Sequence, residues 1–324
     1  MGIKKLSIVS KLMQRNDISG IAAAIVLFIA FSVGTDSFLT PYNIYNVSRT
    51  AALFLFVTLG QVFVVITGEI NLSIGQAGAL STVMCGFFFQ NMHLPIWLTI
   101  LLTLSVGALT GVLNGLLVIK LNLTSFVSTL ITGNIYAGLV NVITKGYPYT
   151  DIPEAFSFIG RGDFLGIPYV LILMLLCAVF VWYFFKYTVL GRKMLARGGN
   201  VTAARLSGIK TDNMTLIAHI MSGLFAAIAA MLWVSRQGSA SPQTGNDWML
   251  VSFPIAVLGG TSLSGGEISA VGLVFASFLY TMIKNGLVMV NVDVYYESVF
   301  MGLILLFAVG FESFRLKYRK HKRI

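Results

Sequence analysis

Apolar runs long enough to cross a membrane recur along the whole chain. A helix needs about 20 apolar residues to cross the hydrocarbon core of a bilayer, and ten segments approach that length. They are roughly residues 18–36, 50–67, 72–90, 96–119, 124–143, 167–187, 214–235, 248–260, 268–290 and 297–312. The pattern predicts an all-α polytopic membrane protein with about eight to ten transmembrane helices.

The segment near residues 248–260 is too short to cross the membrane as a straight helix. Its sequence, "WMLVSFPIAVLGG", also contains Pro254. Short segments interrupted by Pro or Gly are often broken or re-entrant, and they occur where they face protein or a water-filled cavity. We therefore predict a broken or re-entrant segment here, which leaves the number of spans as a range.

The composition supports the same class of protein. Of the 324 residues, 56% are hydrophobic and only 10% are charged, whereas soluble domains are about 25% charged. The polar stretches between the apolar runs are too short for a soluble domain. We therefore predict an N-terminal segment over residues 1–17, a single transmembrane domain over residues 18–312 and a basic tail over residues 313–324.

The positive charges indicate how the chain is oriented. The net charge is +10, and 16 of the 22 Lys and Arg residues lie before the first apolar run, from Lys186 to Lys210, and from Arg315 to Arg323. Lys and Arg concentrate in cytoplasmic loops, so we place these three blocks and both termini in the cytoplasm. The main outward loop is then about residues 144–167. This distribution favours a membrane role over nucleic-acid binding.

Residues 263–267, "LSGGE", differ at one position from the "LSGGQ" signature of ABC-type ATPases. Such an ATPase also needs the phosphate-binding loop G-x-x-x-x-G-K-[ST], which the sequence lacks. We interpret LSGGE as a junction between helices and predict that this chain is not an enzyme. Cys85 and Cys177 lie in apolar runs, and the three histidines have no metal-ligand spacing, so we predict no metal site.

Three motifs occur together and in order: "GEINLSIGQAGAL" at 68–80, "TVLGRKMLARGGNVTAARLSGI" at 188–209 and "GGTSLSGGEISAVG" at 259–272. The chain resembles, over residues 40–312, the permease subunits of ribose/galactose/autoinducer-2-type ABC importers, a binding-protein-dependent sugar transport family. That family usually has G-G-I-D-L-S in the first motif. In this chain, Asn71 stands where that family has Asp. An acidic residue, Glu69, lies two positions earlier.

The resemblance implies a set of partners. A separate ABC ATPase would bind ATP and Mg²⁺, so the chain itself would carry no cofactor. A periplasmic or lipid-anchored solute-binding protein would deliver a small polar solute such as a simple sugar. A second copy or a homologous permease would complete the pathway. The complex would lie in the bacterial cytoplasmic (inner) membrane and work by alternating access.

The resemblance also implies that residues 188–212 form the cytoplasmic coupling loop. The sequence favours a short helix there, capped by Asn200 or Thr202 and ended by Gly208. A helix docked in a groove of the ATPase fits this pattern, while a basic loop held at anionic lipid is the alternative. The predicted coupling residues are Asn200, Ala203, Ala204, Arg205, Leu206, Ser207 and Gly208.

Polar residues near the first and third motifs are candidates for the translocation pathway. An intramembrane carboxylate is costly and indicates function, although Glu69 in a turn open to cytoplasmic water is an alternative. The hydroxyl and amide groups nearby could match sugar hydroxyls. The candidates are Gln61, Glu69, Asn71, Ser73, Gln76, Thr261, Ser262 and Ser264. Elsewhere, Gly107, Gly111 and Gly115 are spaced four residues apart, which predicts close helix packing.

Other transport functions remain open at this point. Permeases for nucleosides or branched-chain amino acids belong to the same superfamily, but the neutral polar side chains favour a sugar. An ion-coupled secondary transporter would need buried acids or histidines, and the predicted spans contain few of them.

Overall fold

The computed structural model describes residues 18–35 and 37–289, together with residues 296, 299, 302, 303 and 306. The predicted N-terminal segment, the basic tail and most of the tenth apolar run lie outside the described residues. The helices are α1 (Ile18–Gly34), α2 (Pro41–Val65), α3 (Ile74–Gln90), α4 (Ile96–Lys120), α5 (Ser125–Thr144), α6 (Glu154–Arg161), α7 (Tyr169–Tyr187), α8 (Val189–Gly199), α9 (Val201–Leu206), α10 (Thr211–Gln237), α11 (Trp248–Leu258) and α12 (Ala270–Met289).

The prediction of an all-α polytopic protein is confirmed. Six helices among the described residues, α2, α4, α5, α7, α10 and α12, are long and apolar enough to cross a membrane. Helices α1 and α3 have 17 residues each, and α11 has 11 with Pro254 inside it. A two-stranded antiparallel hairpin, β1 (Asp163–Phe164) and β2 (Ile167–Pro168), lies in the connection between α6 and α7.

Local sequence signals fix several helix ends. Thr40 caps α2 by accepting a hydrogen bond from the Asn43 backbone N–H at 3.4 Å, and Pro41 occupies the first turn, where its missing N–H is harmless. Helix α10 ends at Gly238, which has φ of 70°. This left-handed conformation suits glycine because a Cβ would be strained there.

Helices α2 and α10 form the centre of the bundle. Phe63 of α2 stacks on Phe225 of α10 with ring centroids 5.4 Å apart, and Phe185 of α7 packs on the same ring of Phe63 at 5.2 Å. By contrast, α4, α5 and α7 expose many large apolar side chains, including Leu101 and Val179. Such a continuous exposed apolar surface is costly in water, so these outer faces are suited to lipid.

The three glycines of α4 lie against α10. A Cβ on Gly107 would overlap the backbone of Gly223, and one on Gly111 would overlap the backbone of His219. A Cβ on Gly115 would lie 2.9 Å from a Leu216 side-chain carbon. The two helices therefore approach almost backbone to backbone, which small residues permit.

Substituting Gly111 tests this close approach. We expect Gly111→Ala to destabilise the protein by about 1–3 kcal/mol, because the added methyl group must push α4 away from α10. The measurement is the thermal unfolding midpoint of the detergent-purified protein. Gly138→Ala is the matched control, since a Cβ on Gly138 in α5 would meet nothing within 4 Å. Equal melting temperatures for the two variants would contradict the prediction.

Candidate functional site

The three sequence motifs meet at one place in the fold. The Gly266 N–H donates a hydrogen bond to the carbonyl oxygen of Ile66 at 2.9 Å. Gly198 lies against both groups, and a Cβ at Gly198 would overlap the Ile66 carbonyl. We call this contact between residues 66–69, 197–199 and 264–267 the motif junction. Backbone touches backbone there, so a side chain at Gly198 would separate the three segments.

A buried arginine ties the motif junction together. Arg197, at the end of α8, is only 8% exposed. Its guanidinium donates to the Glu69 carboxylate, to the Thr67 carbonyl oxygen and to the Thr211 carbonyl oxygen, the last at 3.3 Å. One side chain therefore holds together the loop after α2, the end of α8 and the start of α10.

Glu69 receives further hydrogen bonds from α10. Its Oε1 accepts from the Thr215 hydroxyl at 3.1 Å, and its Oε2 lies 3.2 Å from His219 Nε2. Ser125 Oγ also lies 3.2 Å from Nε2 but donates its own proton to the Ile70 carbonyl. Since an ionised carboxylate only accepts, we assign the proton to His219 Nε2.

The surroundings of Glu69 favour its charged form. The Arg197 guanidinium, the Thr215 hydroxyl and His219 all contact this carboxylate and stabilise its ionised form. A buried carboxylate is tolerated only when it is paired and hydrogen-bonded. The Glu69 side chain is 12% exposed and lies inside a protein network, while the flanking Gly68 and Ile70 are exposed.

A second network surrounds Asn71 and Ser73. Asn71 Nδ2 donates to Ser222 Oγ at 2.9 Å, and Asn71 Oδ1 accepts from the backbone N–H and the hydroxyl of Ser73 at 2.9 and 2.8 Å. Asn114 Nδ2 of α4 donates to Ser73 Oγ at 2.8 Å. The Leu72 N–H donates to Thr129 Oγ1 at 2.9 Å. These bonds join the loop of residues 66–73 to α4, α5 and α10.

The other pathway candidates are dispersed. Gln61 is fully buried in α2, and neither atom of its amide has a hydrogen-bond partner within the described residues. Thr261 is also buried, and its hydroxyl has none there either. Ser262 Oγ accepts from the Ser264 backbone N–H at 3.2 Å within the same turn. Gln76 faces elsewhere, toward Asn246. Their roles in translocation stay predictions.

Several residues of these networks were missed in the sequence. Arg197 was counted only as one charge of a cytoplasmic block, and His219 only as an isolated histidine. Asn114 and Ser222 were not singled out. The available signal was a lone polar residue inside an apolar helix, as in "LIAHIMSG" and "GVLNGLL", since such residues usually face partners within the bundle.

The predicted coupling residues lie on and beside α9. Asn200 caps this helix by accepting from the Ala203 N–H at 2.9 Å, and Gly208 follows it with φ of 80°. Ala204 is buried, whereas Leu206 is 85% exposed. Arg205 reaches the Asp212 carboxylate at 3.7 Å, with both side chains exposed. The helix therefore presents a large apolar side chain outward.

Residues 43–309 match the family described as the permease component of branched-chain amino acid transport systems. This chain belongs to that family. The family consists of transport components, so the chain is a multi-pass transport subunit and not an enzyme. The resemblance inferred from the three motifs is confirmed.

Curated relatives match over almost the whole chain. The ribose import permease protein RbsC of Bacillus subtilis is 37% identical over 88% of this chain and 88% of its own length. The galactose/methyl galactoside import permease protein MglC of Escherichia coli is 30% identical over 94% of this chain and 95% of its own. The autoinducer 2 import system permease protein LsrC of Photorhabdus luminescens is 30% identical over 94% and 92%. No solved structure matches the chain.

Removing the charge of Glu69 tests the buried network. We expect Glu69→Gln to destabilise the protein by about 3–5 kcal/mol, because the buried Arg197 loses its counter-charge. The measurement is again thermal unfolding in detergent. Asp212→Asn, which breaks the exposed pair with Arg205, is the control and should cost less than about 1 kcal/mol. A small effect at both positions would show that Glu69 does not stabilise the junction.

Proposed function

We propose that this chain is the membrane-spanning permease of an ATP-driven importer for a small polyhydroxylated solute such as a simple sugar. The observation that carries the proposal is similarity, over 88–94% of the chain, to import permeases named for ribose, galactose and autoinducer 2. These relatives differ in the solute they are named for, so they support the class of solute rather than one compound.

The geometry supports a mechanism in which a cytoplasmic segment is mechanically linked to the bundle interior. Helix α9 presents Leu206 outward, and the last turn of the neighbouring α8 places Arg197 and Gly198 in the motif junction. An ATPase subunit docked on α9 would move this segment when its nucleotide interface closes. The networks around Glu69 and Asn71 would pass that movement to α3 and α10 as a rigid-body shift.

The remaining partners follow from the same proposal. The ATPase binds ATP and Mg²⁺, an external solute-binding protein delivers the solute, and a second copy or a homologous permease completes the pathway. The bacterial relatives support a location in the cytoplasmic membrane, and the three blocks of Lys and Arg support an orientation with both termini inside.

An amino acid is the second candidate solute. The matched family is described by branched-chain amino acid transport, whereas the relatives above are named for sugars and a signalling molecule. Uptake measurements separate the two. We expect cells that lose this chain to lose uptake of labelled ribose or galactose while uptake of labelled leucine is unchanged. Loss of leucine uptake alone would favour the amino acid.

The docking of α9 has a direct test. The tagged chain is purified in mild detergent from its native host, and the co-purifying ATPase is quantified by mass spectrometry. We expect Leu206→Asp to reduce the recovered ATPase at least about tenfold, since a tenfold loss corresponds to only about 1.4 kcal/mol of binding free energy. Arg205→Glu at the neighbouring position should also reduce it.

The matched control for this experiment lies on another connection. Tyr147, 76% exposed between α5 and α6, is changed to Asp and should leave the recovery of ATPase unaltered. If the wild-type chain co-purifies in a well-defined complex that contains no ATPase, the importer proposal is wrong.

A further inference from the structure

The chain between α10 and α11 penetrates deep into the bundle without forming a helix. At one end of this segment, Ala240 pairs with Tyr149 through hydrogen bonds of 2.8 and 3.1 Å and packs against Gly86 near the end of α3. At the other end, Gly245 packs on the backbone of Gly75 in the first turn of α3. With a rise of 1.5 Å per residue, the eleven steps from Gly75 to Gly86 span about 16 Å along α3.

The start of α3 lies near the middle of the bundle. Asn71 and Ser73, just before this helix, are hydrogen-bonded to each other, and Asn71 also bonds Ser222. Ser222 is the twelfth of the 27 residues of α10, the longest described helix. Residues 241–247 therefore reach about half the depth of the membrane-spanning region.

Three polar side chains of this segment are exposed. Gln243, Asn246 and Asp247 are exposed, and the half-exposed Gln76 of α3 donates to Asn246 Oδ1 at 3.4 Å. Within the described part of the chain, the Asp247 carboxylate has no hydrogen-bond or ion-pair partner. These four side chains, Gln76, Gln243, Asn246 and Asp247, are called the midplane cluster below.

The midplane cluster cannot face lipid. A carboxylate at the bilayer centre costs at least about 2.5–3.5 kcal/mol, and non-helical backbone at that depth occurs only where it is covered by protein or lines a water-filled cavity. Helices α3 and α11 both begin here, at Ile74 and Trp248. Interrupted helices that begin at the midplane are a recurrent way of building solute sites in transporters.

We propose that the midplane cluster is the solute-binding site of the translocation pathway and that it takes a neutral polyhydroxylated solute. The proposal rests on the importer function proposed above and names the part of the chain that contacts the solute. Amide side chains both donate and accept hydrogen bonds, and a carboxylate accepts two or more. This set matches neighbouring hydroxyl groups, while the charge of Asp247 disfavours anionic solutes such as sugar phosphates.

The first experiment measures uptake by the complete transporter in cells, with labelled ribose and galactose as probes. We expect Asp247→Asn and Asn246→Ala each to raise the KM or lower the uptake at least tenfold, with unchanged recovery of the ATPase. Asp151→Asn is the control, because this exposed carboxyl group lies near Gln90 in the connection after α5 and away from the cluster. Wild-type uptake in both cluster variants would overturn the inference.

The outcomes for the two proposals are distinguishable. If no ATPase co-purifies with the wild-type chain, the importer function fails, whatever the cluster variants do. If the ATPase is recovered and only leucine is transported and affected by the variants, the site is retained but its assignment to a polyhydroxylated solute is overturned.

A second experiment tests the aqueous cavity without relying on transport. Asn246→Cys is made in a chain whose Cys85 and Cys177 are replaced by alanine, and a membrane-impermeant maleimide is added. We expect labelling that slows at least several-fold when ribose or galactose is present in large excess over the raised KM of this variant. Absence of labelling would show that water does not reach this position, and disulfide-linked dimers through it would place the cluster between two permease copies. Either result would overturn the proposed site.

Discussion

Non-helical backbone inside a membrane protein must find its hydrogen-bond partners within the protein. The loop of residues 66–73 meets this requirement through side chains from three different helices. Ser125 and Thr129 of α5 bond to the backbone of Ile70 and Leu72, Asn114 of α4 reaches Ser73, and Ser222 of α10 reaches Asn71. This constraint is one reason why α4, α5 and α10 meet around the start of α3.

The loop of residues 66–73 also places the negative charge of Glu69 inside the bundle, where the positive charge of Arg197 balances it. Glu69 and His219 are the kind of buried acid and histidine that an ion-coupled transporter would use. In this chain, however, Arg197 neutralises Glu69, and Thr215 takes up part of its remaining hydrogen-bonding capacity. Together with the family membership, this favours a structural link between segments over a proton-carrying pair. A buried ion pair of this kind is sensitive to the loss of either partner.

The sequence predicted the elements better than the contacts between them. Apolar runs of membrane-spanning length located the long helices, and Pro254 with its short run indicated the incomplete α11. The Asn200 cap and the Gly208 end of α9 were also predictable, because capping depends on residues close in sequence. The pairing of Glu69 with Arg197 joins residues 128 positions apart, and no local pattern encodes it. The segment from Ala240 to Asp247 has the composition of an ordinary polar connection, and its depth depends on the packing of Ala240 on Gly86 and of Gly245 on Gly75.

The shortness of α11 has a consequence for the biogenesis of the protein. With 11 residues it covers about 16 Å of the roughly 30 Å hydrocarbon core, so it cannot enter the bilayer as an independent span. The polar segment before it would contact lipid unless α3 were already inserted, because Gly245 packs on Gly75 of α3. Residues 238–258 must therefore reach their final position after the long helices have been inserted and have begun to associate. Their packing is a late step of assembly. Variants that slow this step would reduce the amount of protein in the membrane before any defect in transport could be measured.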